Sequence, residues 1–148
     1  MKIYIGADHN GFEFKKQIIT FLSSSGYQVF DDGNQGLDQT DDFPQFATRV
    51  VSSLLADKDQ DSRGILICAS GQGMCMAANR HKGVRASLCW NLEEARSARN
   101  DDDSNVLCLS SKYLSLKATE PIIITWLNTQ FAGASRFKRR IQELDNLS

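Results

Sequence analysis

Gly64-Ile65-Leu66-Ile67-Cys68-Ala69-Ser70-Gly71-Gln72-Gly73-Met74 is the stretch on which the fold turns. An apolar run enters a turn of small residues, and an amphipathic segment, Gln72–Asn79, leaves it. A run this short and this rich in Ile and Leu has the pattern of a strand buried on both faces. Working outward, Lys2–Gly6, Tyr27–Asp31, Val84–Cys89 and Val106–Leu109 repeat it. Between them, Gly11–Ser24 sets Phe14, Ile18, Phe21 and Leu22 at helical spacing. Pro44–Leu55 does the same with Phe46, Val50, Val51 and Leu54, and Leu92–Asn100 carries a polar helix face. Strand–helix alternation implies a parallel sheet covered on both sides. The expected fold is α/β: a single Rossmann-like, three-layer domain over residues 1–148 with about five strands and C-terminal helices. Those last helices are Pro121–Leu127, apolar almost all round and so buried by the core or by a second subunit, and Ser135–Leu147, basic at its start.

Composition narrows the chemistry. Hydrophobic residues make up 41% of the 148 and charged residues 24%, values of a globular chain long enough to bury a core. The formal net charge of -1 offers no general attraction to nucleic acid or to an anionic membrane, so a bound anion needs a local basic cluster. No segment approaches the roughly 18–20 apolar residues of a membrane span, and the N-terminus lacks the apolar run of a signal peptide. Cys68, Cys75, Cys89 and Cys108 form no Cys-x-x-Cys pair and have no nearby histidine pair, which argues against zinc. Reduced thiols in a cytoplasmic chain are expected.

In an open parallel sheet, ligands bind beyond the carboxyl ends of the strands. Gly71 and Gly73 let the backbone approach a ligand, and the helix start offers N–H groups to a phosphate or to an oxyanion formed in catalysis. Cys68, at the mouth of that turn, is a buried core thiol or a base whose thiolate the helix start stabilises. Asp8 and His9 follow the first strand. They form either a helix cap with a surface histidine, or an acceptor for a sugar hydroxyl beside a donor to phosphate. Arg136 and Arg140, four apart, share a helix face and can converge on one dianion, with Lys112 after the fifth strand as a further cation. Asp101-Asp102-Asp103 is a polar loop, or a crowded carboxylate run with one member able to transfer protons.

These residues resemble the type B ribose-5-phosphate isomerases and their galactose- and allose-6-phosphate relatives, over nearly the whole chain. The resemblance rests on Gly6-Ala7-Asp8-His9-x-Gly11-Phe12, Asp42-Phe43-Pro44, Gly64-Ile65-Leu66-Ile67-Cys68-x-Ser70-Gly71-x-Gly73, Ala77-Ala78-Asn79-Arg80, Gly83-Val84-Arg85-Ala86, Ser104-Asn105-Val106-Leu107 and Arg136-x-x-x-Arg140, in order and spacing. It implies aldose–ketose isomerisation of a sugar phosphate, ribose 5-phosphate first among the substrates, with Cys68 as the base between C1 and C2. Ser70 and the N–H groups of Gly71, Gln72, Gly73 and Met74 would stabilise the enediolate. Asp8 and Asp42 would contact sugar hydroxyls, and His9, Lys112, Arg136 and Arg140 would hold the phosphate. It implies no metal and no organic cofactor. It further implies a homodimer whose sites combine residues of both subunits, with a tetramer left open.

This sequence departs from the family pattern where a His-Asn pair is usual. Asp101 and Asp102 stand there, and the histidine is the group that opens the furanose ring. Phe43 replaces a usual tyrosine, and Phe137 a usual histidine. Asp101 is therefore expected either to protonate the ring oxygen itself, or to be spared that task by a substrate, such as a tetrose 4-phosphate, that cannot close a furanose. From another functional class, a sugar-phosphate-binding protein that has lost catalysis stays open; retention of Cys68 and Ser70 counts against it.

Overall fold

A computed structural model describes residues 1–147. The domain expected over 1–148 is followed to residue 147, and Ser148 lies outside the described residues. The strands are β1 (Lys2–Ala7), β2 (Gln28–Asp31), β3 (Arg63–Cys68), β4 (Ala86–Leu88) and β5 (Val106–Ser110). They form one sheet in the order β2-β1-β3-β5-β4, and every neighbouring pair is parallel. The helices are α1 (Phe12–Ser24), α2 (Phe43–Ala56), α3 (Gln72–Ala78), α4 (Leu92–Asn100), α5 (Leu116–Asn128) and α6 (Ser135–Asp145), and a 3-10 turn spans His9–Gly11.

Side-chain alternation along the central strands divides the interior into two cores. Ile65, Ile67, Leu107 and Leu109 face one side, with Ile18 and Leu22 of α1, Ala95 and Ala98 of α4, and Ile122, Ile123 and Trp126 of α5. Leu66, Cys68, Val106 and Cys108 face the other, with Phe46, Val50 and Val51 of α2 and Met74 and Ala78 of α3. β3 and β5 are buried throughout, as uninterrupted apolar runs require. Burying each large aliphatic side chain among them contributes roughly 1.5–3 kcal/mol before entropy is charged. Cys68 thus leaves the sheet on the α2–α3 side, and that direction decides what it meets.

Two elements differ from the sequence reading. The fifth helix starts at Leu116 and carries Pro121 inside it. Ser115 caps its start, accepting from Ala118 N at 3.2 Å, so the proline costs one interior hydrogen bond of a helix already anchored at its beginning. The fourth strand is only Ala86–Leu88, because Val84 N and Arg85 N are drawn to His81 O and Asn105 Oδ1 instead. Ile122, Ile123, Trp126 and Leu127 are buried by the protomer's own core, which accounts for most of the apolar surface of α5. No helix among the described residues is long and apolar enough to cross a membrane.

Candidate active site at the carboxyl ends of the strands

β1 leads outward to β2, and the chain then crosses to β3 on the other side of β1. Strand order reverses between β1 and β3, and the residues leaving those two strands meet at this crevice. Asp8 N donates to Ile67 O at 3.3 Å, which fixes the end of β1 against the end of β3. Buried Asp8 turns its Oδ1 onto Asn10 N (3.0 Å) and Gly11 N (3.2 Å), closing the 3-10 turn. The cap that the sequence allowed is therefore present, and it occupies one oxygen of the carboxylate.

The closed turn presents His9 to the long segment between β2 and α2. His9 N and Nδ1 both donate to Asp41 Oδ1, each at 2.8 Å, and Asn34 Nδ2 donates to Asp41 Oδ2 at 3.2 Å. The hydrogen bond that the ring donates to Asp41 raises the His9 pKa above the ordinary 6.5, so the ring holds its second proton more firmly. The segment is anchored at its start by Lys15, which is 1% exposed. Its ammonium donates to both oxygens of Asp31 at 2.8 Å and to Asn34 O at 2.9 Å. Sequence reasoning singled out Asp42, and missed Asp41 and Lys15. Asp42 is exposed at the N-cap of α2 with no capping bond from its side chain, so the fold leaves that carboxylate unused.

On the other side of the crevice Cys68 ends β3, and its Sγ accepts from Gly71 N at 3.2 Å. Gly71 holds φ +79, and a Cβ there would lie 3.0 Å from the backbone carbonyl of Leu109, so the turn demands glycine. Gly73 admits the ring of Phe43, whose Cζ would sit 2.8 Å from an added Cβ. Ser70 Oγ accepts from Gln72 N at 3.3 Å. Gln72 is exposed, and Met74 is fully buried, so Met74 can offer the site its backbone alone. β5 braces the turn from below: Ser110 Oγ and Lys112 N both donate to Ala69 O, at 2.6 and 3.0 Å. Ser111 Oγ reaches Asn10 O at 2.9 Å and ties the His9 turn to the same rim. Exposed Lys112 follows, 5.2 Å from the Tyr113 ring, which stacks on Trp90.

Asp8, His9, Asp42, Cys68, Ser70, the Gly71–Met74 turn and Lys112 therefore lie along one end of the sheet. The remaining candidates do not join them within the protomer. Asp101 caps the end of α4, with Oδ1 accepting from Asn100 Nδ2 at 2.7 Å. Asp102 is exposed, and Asp103, at φ 46, pairs with Arg99 and Arg85. This turn precedes β5 at the amino end of the sheet, where Gly64 N donates to Asn105 O. Four strand steps separate Gly64 from Cys68, roughly 13 Å. α6 runs along that amino end too: Ala132 N, just before it, bonds Asn100 O, and Asp145 near its end pairs with Arg85 at 3.9 Å. Arg136 and Arg140 stand exposed on it. The two sets of residues can share one site only across two copies of the chain.

Chemically, the carboxyl-end set combines a thiol touched by an amide N–H, a turn of small residues, a carboxylate and an imidazole biased toward its cationic form. That is an inventory for moving a proton beside a carbonyl and for binding an anion. Among the described residues no group of three or more His, Cys, Asp or Glu side chains is placed to hold a metal ion. All four cysteines are free thiols.

Comparison with known proteins places this geometry. The family model described as Ribose/Galactose Isomerase matches residues 3–144. A probable ribose-5-phosphate isomerase B of Mycoplasma pneumoniae is 42% identical over 137 residues, covering 93% of this chain and 89% of that protein. Ribose-5-phosphate isomerase B of Escherichia coli is 35% identical, with 97% and 93% covered. Among solved structures, a ribose 5-phosphate isomerase of Thermotoga maritima superposes with a TM-score of 0.93 at 37% identity, covering 99% of this chain and 98% of that one. Ribose-5-phosphate isomerase B of Mycoplasma genitalium, with bound ribulose 5-phosphate, gives 0.92 at 39% identity, with 97% and 93% covered. This chain is an isomerase and belongs to the ribose/galactose isomerase family.

Proposed function

We propose that this protein interconverts ribose 5-phosphate and ribulose 5-phosphate, with Cys68 as the base. The observation that carries the reading is the Cys68 sulfur at the mouth of the β3–α3 turn, 3.2 Å from Gly71 N and across the crevice from Asp8 and His9. The Cys68 thiolate takes the proton from C2 of the open-chain aldose, and the electron pair forms the C1–C2 double bond while O1 becomes anionic. Ser70 and the amides of Gly71, Gln72, Gly73 and Met74 stabilise that enediolate. Transfer of the O2 proton to O1 and return of the Cys68 proton to C1 complete the ketose. Asp8, through its second oxygen, and Asp42 hold sugar hydroxyls. His9 and Lys112 grip the phosphate from one subunit, and Arg136 and Arg140 from its partner, whose Asp101 donates the proton that opens the furanose ring and whose Asp102 lines the sugar. The separation of these groups within one protomer supports a homodimeric site.

Turnover of ribose 5-phosphate by the wild type and by Cys68→Ser tests the reading. A fall in kcat of about 10²–10⁴-fold at unchanged folding is expected for loss of the base. Undiminished turnover by the serine variant overturns the role of Cys68. A second substrate is favoured by Asp101 standing where a ring-opening histidine is usual. Turnover of erythrose 4-phosphate with none of ribose 5-phosphate assigns the enzyme to tetroses, and phosphosugar binding with no exchange of the C2 proton assigns it to binding alone.

A further inference from the structure

The buried ammonium of Lys15 has three N–H groups, and the fold gives each an acceptor. Two go to the oxygens of Asp31, at 2.8 Å each, and one to Asn34 O at 2.9 Å. A buried cation matched in this way cannot shift without leaving charge unpaired. The chain also passes close against it. Gly33 N donates to Asp31 Oδ1 at 2.9 Å, and a Cβ on Gly33 would lie 2.6 Å from Lys15 Nζ. Asn34 is thereby fixed relative to the first turn of α1, where Lys15 stands.

Asn34 also reaches forward along the segment. Its Nδ2 donates to Asp41 Oδ2 at 3.2 Å, while His9 N and Nδ1 take Oδ1. The Asp41 side chain is 3% exposed, with both oxygens engaged, and among the described residues Asn34 and His9 alone hold it. Residues 35–40 between Asn34 and Asp41 are exposed, Leu37 included, so burial of apolar side chains does not hold this arc. Its own bonds are local: Asp41 N donates to Asp38 O, and Thr40 N and Oγ1 to Asp38 Oδ1. Asp8 and Asp38 bear on the His9 ring by charge without bonding it, so Asp41 selects which ring nitrogen keeps the proton.

We infer that Asn34 is a positioning residue of the isomerase site: held by Lys15, its amide orients the Asp41 carboxylate, which in turn aims the protonated His9 ring so that Nε2–H meets the substrate phosphate. The inference deepens the proposed function and rests on His9 as a phosphate ligand. Asn34 touches no substrate in this role and acts through Asp41. The bonds close a ring that starts and ends on one element, since His9 lies in the 3-10 turn that leads into α1 and Lys15 in the helix itself.

Two variants of the whole protein test the amide. Asn34→Ala keeps the backbone carbonyl that Lys15 grips and deletes the donor, and Asn34→Asp keeps the shape but turns a like charge on Asp41. With ribose 5-phosphate, Asn34→Ala should raise KM about 3- to 10-fold with kcat within about 2-fold, the signature of lost binding rather than lost chemistry. Asn34→Asp should have the higher KM of the two, whereas a role in filling space alone would leave it near wild type. Nitrogen NMR of the neutral His9 ring reads the positioning without substrate. The proton should sit on Nδ1 in the wild type and move toward Nε2 in Asn34→Ala. Lys15→Met should move it the same way, and adding Asn34→Ala to Lys15→Met should change KM by less than about 2-fold more, because the link is already broken. Should Lys15→Met not fold, the two Asn34 variants decide. An unchanged His9 ring in Asn34→Ala, or a wild-type KM in Asn34→Asp, overturns the inference. A ring that shifts while KM stays constant also overturns the part in turnover, and it locates the failure in His9 as phosphate ligand rather than in the link from Asn34 to His9.

Discussion

His9 and Asp41, 32 positions apart, are joined twice through one carboxylate oxygen: Asp41 Oδ1 accepts from both the backbone N–H and Nδ1 of His9, at 2.8 Å each. The first bond fixes where the 3-10 turn points, and the second keeps Nδ1 protonated and leaves Nε2 as the ring's other donor. An imidazole so held is a better anion donor near neutral pH than an unassisted one.

Asp41→Asn should therefore weaken the grip on phosphate in a pH-dependent way. The folded-state pKa of His9 is raised, so the ion pair's stabilisation is fully present below the ordinary value of 6.5 and is lost as pH rises through the raised value. The variant should titrate closer to 6.5, and its KM for the sugar phosphate should exceed the wild-type value about 3- to 10-fold above neutrality. The two KM values should converge in acid, where His9 is charged in both proteins. NMR titration of the His9 ring gives the pKa directly. A KM difference that is constant across pH would mean that Asp41 acts only by shape.

Gly71→Ala and Gly73→Ala should separate sharply although the positions are neighbours. At Gly71 the backbone is left-handed and the new methyl meets the Leu109 carbonyl at 3.0 Å, which cannot move without breaking β5. A loss of about 2–4 kcal/mol is expected, together with most activity, because the amide that touches Cys68 is displaced. At Gly73 the obstacle is the ring of Phe43, which is 36% exposed and free to swing away, so the loss should be about 1 kcal/mol. Urea denaturation of both variants measures the difference, and equal losses would show that the Phe43 ring is as fixed as the strand.

Complementation should reveal the two-copy site. Cys68→Ser and Arg140→Ala are each expected to be inactive, since in the proposed mechanism one lacks the base and the other the partner's phosphate grip. Mixed, unfolded and refolded together, they should recover about a quarter of wild-type activity, the yield of one intact site in each mixed dimer. No recovery would place both residues in the site of a single subunit.

Among Cys75, Cys89 and Cys108, Cys75 should be the thiol that alkylates near neutral pH. A hydrogen bond from the Cys108 side chain outweighs partial burial and lowers its pKa to about 7, while burial pushes Cys89 up to about 12 and Cys108 well above the usual range. Iodoacetamide labelling followed by mass spectrometry should show half-maximal modification of Cys75 near that value and no labelling of Cys89 or Cys108 at mild pH. Labelling of Cys89 ahead of Cys75 would contradict the lowered value.

Much of this molecule was legible in order of residues alone. The runs Gly64–Cys68 and Val106–Leu109 announced doubly buried strands because a parallel sheet needs apolar side chains on both faces, and local alternation with amphipathic stretches does not depend on distant contacts. The placement of Asp8, His9 and Cys68 at strand ends followed from the same rule. Tertiary structure alone decided the rest. It chose Asp41 over Asp42 as the partner of His9, and made Lys15 the buried anchor of the intervening segment. It put Asp101, Arg136 and Arg140 at the opposite end of the sheet from Cys68, and buried Arg63 and Arg99 with Nε of each unpaired among the described residues. Spacing along the chain sets which face of a strand or helix a residue occupies. Which charged groups meet depends on how segments tens of residues apart fold back on one another, and a carboxylate on such a segment looks the same in sequence whether it meets a histidine or open solvent.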